Sequence, residues 1–86
     1  MTTVKRFTAP WCAPCRMLAP IFKSIEAEMP TVHFETVDID DNPGDATKYG
    51  VRSVPTVLIL KDGEVRHRII GANPRKRYVE AITVSL

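Results

Sequence analysis

Trp11-Cys12-Ala13-Pro14-Cys15 holds the only two cysteines of the chain, two residues apart and directly ahead of an apolar run with helical spacing. Two thiols so placed can close a disulfide within one helical turn. The first then sits at a helix N-terminus, where free backbone N–H groups and the positive end of the macrodipole favour an anion. A thiolate is such an anion, and it is the nucleophile of thiol–disulfide exchange, so Cys12 reads as the attacking residue and Cys15 as the resolving one. Two other readings stand beside this one. A purely structural bridge around so short a loop would remove only roughly 2 kcal/mol of unfolded-state entropy. A zinc site would have to recruit His33 and His67, which lie far apart and lack ligand spacing.

Downstream of the pair, Met17, Ile21, Ile25 and Met29 recur every four residues with Leu18 and Phe22 beside them, predicting a long helix with a wide buried stripe. Pro14 suits the first turn, Pro20 predicts a kink near residues 16–20, and Pro30 ends the element. Upstream, Val4 to Thr8 reads as a short strand and Thr8-Ala9-Pro10 as the turn that delivers the chain to the cysteines.

Beyond the helix, Thr31 to Val37 is strand-like, with Val32 and Phe34 on one face and His33 and Glu35 on the other. The acidic run Asp38-Ile39-Asp40-Asp41 leads to a short helix with Asp41 or Asn42 as cap, Pro43 in its first turn and Gly50 just past its end. The run lacks the ligand spacing of a calcium loop and reads as capping and solvation. Val57-Leu58-Ile59-Leu60 is a continuous apolar strand of the kind covered on both faces. Asp62-Gly63 marks a hairpin, and Val65 to Ile70 the return strand, with Val65, His67 and Ile69 on its buried side. Asn73 is a candidate N-cap for a last helix marked by Tyr78, Val79 and Ile82.

The order β-α-β-α-β-β-α predicts a four-stranded α/β sheet in spatial order 2-1-3-4 with helices on both faces. The first three strands are expected parallel and the fourth antiparallel to the third. The site then falls where strand one hands over to the first helix.

Length and composition set the frame. The chain has 86 residues, 44% hydrophobic and 26% charged, which fits one domain spanning 1–86 with a single small core. No apolar run reaches membrane-spanning length, and residues 1–6 lack the apolar stretch of a signal peptide, so a cytoplasmic location is expected. In that reducing compartment a Cys-x-x-Cys pair serves catalysis or metal binding rather than structure. A net charge of +2 does not argue for nucleic acid. Arg66-His67-Arg68 and Arg75-Lys76-Arg77 read as a solvated basic face, with a docking surface for an acidic protein as the lesser reading.

With these residues in view, the chain resembles the thioredoxin family through nearly its whole length. Trp11-Cys12-Ala13-Pro14-Cys15 is similar to the family's Trp-Cys-Gly-Pro-Cys, with Ala13 in place of glycine. Pro20 matches the helix-kinking proline. Val37-Asp38-Ile39-Asp40, Asn42-Pro43, Tyr49-Gly50-Val51, Val54-Pro55-Thr56, Asp62-Gly63 and Gly71-Ala72 follow as landmarks in the family's order. The resemblance implies a thioredoxin-like fold, a cis Val54–Pro55 bond facing the cysteines, and an apolar platform of Trp11, Val54, Pro55, Gly71 and Ala72 for an extended substrate segment. Ala13, Pro14 and Pro20 shape the site, and Pro14 favours the reducing direction.

Two departures accompany the resemblance. The family's first strand and helix have no counterpart, as in glutaredoxins and small archaeal thioredoxin-like proteins. The family's buried aspartate falls at Arg6, and its partner lysine at Thr36. Arg6 either points at the cysteines, lowering the thiol pKa and sending the proton out by another route through water, or reaches to solvent.

The resemblance implies a dithiol–disulfide oxidoreductase that reduces disulfide-containing proteins, a monomer with no bound cofactor or metal and no nucleic-acid or membrane partner. Its electrons come from NADPH through a flavoprotein thioredoxin reductase. The alternatives are a glutaredoxin-like protein reduced by glutathione, a dedicated electron donor to ribonucleotide reductase, and a thioredoxin-fold binding module with incidental thiols.

Overall fold

The computed structural model describes residues 1–86, in the order β1 (Thr2–Thr8), α1 (Ala13–Glu28), β2 (His33–Asp38), α2 (Pro43–Lys48), β3 (Thr56–Lys61), β4 (Glu64–Ile70) and α3 (Arg75–Val84). The strands form one sheet in the order β2-β1-β3-β4, as the sequence predicts. β1 starts earlier than the apolar pattern indicates because Thr2 pairs with Lys61 at the far end of β3.

One strand direction differs from expectation. β1 and β2 are parallel, but β3 runs antiparallel to β1, and β4 antiparallel to β3. Six helical residues span about 9 Å, whereas a six-residue strand covers roughly 20 Å, so α2 alone is too short for a crossover. The loop after it folds back on the helix through the Val51 N–H to Ala46 carbonyl bond, and β3 starts at the end where β1 and β2 finish. That reversal brings the Val54–Pro55 segment to the same end of the sheet as Cys12.

Each face of the sheet has its own cluster. Leu18, Phe22 and Ile25 of α1 and Tyr78, Ala81 and Ile82 of α3 pack on Val4, Val57, Ile59 and Ile69. On the other face Phe7, Val37, Leu58 and Leu60 meet Tyr49 and Val51 at the end of α2. Covering on both sides explains why β3 is apolar at every position from Val57 to Leu60.

The buried stripe of α1 is rotated relative to the four-residue repeat. Cys15, Leu18, Phe22 and Ile25 are buried, while Met17 is 73% exposed. The spacing 15, 18, 22, 25 follows the 3.6-residue period, from which a strict repeat of four drifts. α1 continues through Pro20, whose missing N–H leaves the Arg16 carbonyl without its i+4 donor.

The predicted alternation of β4 also fails. Its pairing with β3 slips between Ile59 and Leu60, so that Leu60 faces Val65 while Ile59 faces His67. The extra residue, Arg66, turns Val65 to the opposite face from His67, and Val65 is exposed. At the start of α3 the cap is Pro74, not Asn73, because the Asn73 side chain donates instead to the carbonyls of Ile70 and Gly71. Asn42 occupies the cap of α2 without a side-chain cap bond, its amide donating back to the Asp38 carbonyl. Gly50, just past α2, has φ +66°, the left-handed value that glycine tolerates best.

Candidate active site

α1 starts on the cysteine pair itself. Cys12 is its N-cap, with extended backbone (φ −95°, ψ 104°), and its sulfur accepts the Cys15 N–H at 3.2 Å. A sulfur thus fills the capping role that a serine or aspartate oxygen usually takes. The Cys12 N–H donates to the Ala9 carbonyl at 3.1 Å, which fixes the turn out of β1. Cys12 and Cys15 are joined as a disulfide with Cα atoms 5.3 Å apart, within the ordinary range for a bridge. Cys12 is 4% exposed and Cys15 1%, and together with Ala9 they form a small cluster against which Val54 and Ile39 pack.

The other residues expected to form a platform are held by separate contacts. The Val54–Pro55 bond is cis, and Pro55 is buried at the entrance to β3. Its carbonyl accepts the Gly71 N–H at 2.8 Å, tying the turn after β4 to the proline. Gly71 has φ +83°, and Ala72 beside it is exposed. Trp11 is 65% exposed, with its indole N–H donating to Asp40 Oδ2 at 3.1 Å. Ala13 and Pro14 occupy the exposed first turn of α1, and Pro20 lies further along its exposed side.

Several residues of this neighbourhood escape a sequence reading. Asp40, assigned there to capping and solvation, anchors Trp11, and its own N–H is held by Asp38 Oδ1 at 2.8 Å. The available signal was its position just beyond β2, at the end of the sheet where β1 delivers the cysteines. Tyr78, read only as an apolar helix marker, has its hydroxyl between the Asn73 N–H at 3.0 Å and the Gly71 carbonyl at 3.2 Å, holding the turn after β4. Arg16 donates to the Pro10 carbonyl at 2.9 Å, bracing the loop ahead of the cysteines.

Arg6 is half-buried on the face of the sheet that α1 covers, its guanidinium turned along α1 toward Phe22 rather than to the cysteines. It pairs in register with Thr36 and donates to its hydroxyl at 3.2 Å, with its guanidinium carbon 5.5 Å from the centre of the Phe22 ring. Half burial pushes its pKa below the ordinary arginine value. Arg6, Thr8, Thr36 and Asp38 line a solvent-open cavity of about 280 Å³ behind Cys15, with Arg16 at its rim.

No three His, Cys, Asp or Glu side chains gather in a metal-binding group. His33 stands on β2, one edge of the sheet, and His67 on β4, the other. No helix is long and apolar enough to cross a membrane.

Comparison with known proteins agrees with this geometry. The family model described as Thioredoxin matches residues 2–84. The chain belongs to the thioredoxin family. It is 42% identical over 81 residues to the thioredoxin of Bacillus subtilis, covering 93% of this chain and 78% of that protein. With the thioredoxin of Chlamydia caviae it shares 42% over 76 residues, 88% of this chain and 74% of the other. The crystal structure of Fasciola hepatica thioredoxin superposes with a TM-score of 0.94 at 40% identity, covering 99% of this chain and 81% of that one. The chain is therefore a thiol–disulfide oxidoreductase working through its Cys12–Cys15 pair. Thioredoxins bind no cofactor, the cysteine pair being itself the redox group.

Proposed function

We propose that this thioredoxin reduces disulfides in partner proteins, with Cys12 as nucleophile and Cys15 as resolving thiol. The observation that carries the assignment is the Cys12 sulfur at the N-cap of α1, receiving the Cys15 N–H. In the reduced protein that donor and the helix dipole favour a thiolate at Cys12. The thiolate attacks one sulfur of the substrate disulfide, the other leaves as a thiolate, and a mixed disulfide remains on Cys12. Cys15, one turn along, then attacks the Cys12 sulfur and releases the reduced product.

Trp11, Val54, Pro55, Gly71 and Ala72 form the docking platform in this reading. The substrate segment lies extended beside Val54, and Ala13 and Pro14 leave the first turn of α1 small enough for close approach. Pro20 shapes the helix that carries the pair. Electrons reach the protein from NADPH through a flavoprotein thioredoxin reductase, and the molecule works as a monomeric single domain in the cytoplasm, where the thiol poise keeps such a pair reduced.

The test is capture of the intermediate. A Cys15→Ser protein is expected to accumulate a mixed disulfide on Cys12 when mixed with a protein disulfide, and a Cys12→Ser protein to form none. Adducts on Cys15 in the Cys12→Ser protein at the same rate would reverse the two roles.

A further inference from the structure

Thr56, the first residue of β3, is a polar side chain buried at the entrance to an otherwise apolar strand, 2% exposed. Its main chain is set from both sides, in register with Phe7 of β1 and Ile70 of β4. Its hydroxyl turns back out of the strand and donates to the Ser53 carbonyl at 2.7 Å. The loop that leads into β3 is therefore tied to a residue that the sheet holds in place.

That bond takes one of the two carbonyls that flank Val54. The Ser53 carbonyl accepts the Thr56 hydroxyl, and the Pro55 carbonyl accepts the Gly71 N–H at 2.8 Å. Val54 between them is half-buried, with its side chain against the cysteine cluster, and neither its N–H nor its carbonyl bonds within the chain. Backbone groups withdrawn from water are nearly always paired, so this free pair is open to an incoming chain. The Ser53–Val54 peptide is trans. In a planar trans peptide the carbonyl of one residue and the N–H of the next point in opposite directions. A hydroxyl that holds the Ser53 carbonyl toward β3 therefore holds the Val54 N–H away from it.

We propose that Thr56 is a positioning residue for substrate docking, its hydroxyl fixing the Ser53 carbonyl and so aiming the Val54 N–H at a main-chain carbonyl of the disulfide-bearing segment. This rests on the reading of Val54 as the residue beside which that segment lies. Thr56 touches no substrate and takes no part in the exchange of sulfur bonds. Its effect precedes contact, because a donor already held in one direction has less freedom to lose on binding. The Gly71 bond fixes the next peptide in the same way, but Pro55 has no N–H to aim. A donor of this kind reads backbone, so the partner it fits is an extended segment with an accessible carbonyl near its cysteine, whatever its side chains.

The Val54 N–H can be read directly. In a Cys15→Ser protein carrying a short peptide as a mixed disulfide on Cys12, amide hydrogen exchange followed by NMR is expected to slow about three- to tenfold at Val54 relative to the peptide-free protein. Thr56→Val, which keeps the shape and removes the donor, should abolish that slowing. Thr56→Ser, which keeps a hydroxyl, should retain it. A second readout is reoxidation of the reduced two-cysteine protein by insulin, followed through the fluorescence of Trp11, the only tryptophan. Here Thr56→Val should raise the half-saturating insulin concentration about three- to tenfold with the maximum rate near the parent, and Thr56→Ser should restore it. A threonine that served stability alone would not produce this split.

Equal slowing at Val54 in Thr56→Val and in the parent overturns the inference alone, as does a Thr56→Ser protein that behaves like Thr56→Val. Should Thr56→Val fail to fold, Thr56→Ala decides by the same exchange measurement. No slowing in the peptide complex of the parent would sink the docking reading and this inference with it, while leaving the roles of Cys12 and Cys15 intact.

Discussion

On one side of the Cys12–Cys15 bridge stand Val54, Pro55 and Gly71, apolar groups joined through the main chain by the Gly71 N–H to Pro55 carbonyl bond. On the other side stand Arg6, Thr36 and Asp38, polar side chains that meet only because β1 and β2 run in register beneath α1. The first side presents backbone and shape, as the proposed docking of extended segments would require. The second presents charge, held by Thr36 and the Phe22 ring and open to solvent. The two sides are thus built by different contacts, main-chain bonds on one and side-chain pairing across β1 and β2 on the other.

Breaking the support of the charged side should have the largest effect. Phe22 fills the core under α1, packs edge-on against Tyr78 with centroids 4.8 Å apart and carries the Arg6 guanidinium on its face. Phe22→Ala is expected to cost about 3–5 kcal/mol of stability by denaturant titration. A loss below about 1 kcal/mol would mean that the cluster refills the space.

On the platform side, Asp40→Ala removes the acceptor of the Trp11 indole. We expect KM for a protein disulfide to rise about three- to tenfold with kcat nearly unchanged, since the contact positions a residue of the proposed docking platform and not a reacting atom. A fall in kcat at constant KM would instead tie Trp11 to the chemical step.

Thr36→Val isolates the bond that aims Arg6 while keeping volume and charge. Stability should fall by about 1 kcal/mol, with the platform and KM unaffected. Equal effects on KM would show that the two sides are coupled.

The smallest effect is expected far from both. The N-terminal ammonium bonds Asp62 at 2.5 Å and holds its carboxyl below the ordinary aspartate value. A depressed carboxyl contributes stability above its unfolded pKa and loses it as pH falls through the folded value. In the 86-residue chain, Asp62→Asn should be slightly less stable than the parent at neutral pH, and the two should converge in acid. A difference that persists in acid would point to the turn geometry of Asp62, whose φ is +51°.

These contrasts also explain what a linear reading could reach. The cysteine pair, the strand order, the apolar β3 and the glycine after α2 were legible because each depends on local spacing or on a residue type with one conformational use. The direction of β3 was not, since it turns on how the loop after α2 folds back on that helix, through a main-chain bond from Val51 to Ala46 that leaves no mark in the pattern. The exposure of Met17 follows from the drift between a four-residue repeat and the helical period, and the displaced Val65 from a bulge that leaves no mark in composition. Among the site residues, Trp11, Val54 and Pro55 lie in motifs, whereas Asp40, Tyr78 and the setting of Arg6 depend on partners far away in the chain. Their roles emerge only when the strands are paired.

The central claim is that the Cys12–Cys15 pair carries electrons to disulfides. It is tested most directly by coupled reduction of a protein disulfide, with NADPH and thioredoxin reductase in one arm and NADPH, glutathione and glutathione reductase in the other. The account predicts NADPH consumption in the thioredoxin reductase arm that is lost in both Cys12→Ser and Cys15→Ser. Turnover only in the glutathione arm would contradict the proposed electron source. A parent protein no faster than its Cys12→Ser variant in either arm would contradict the claim itself.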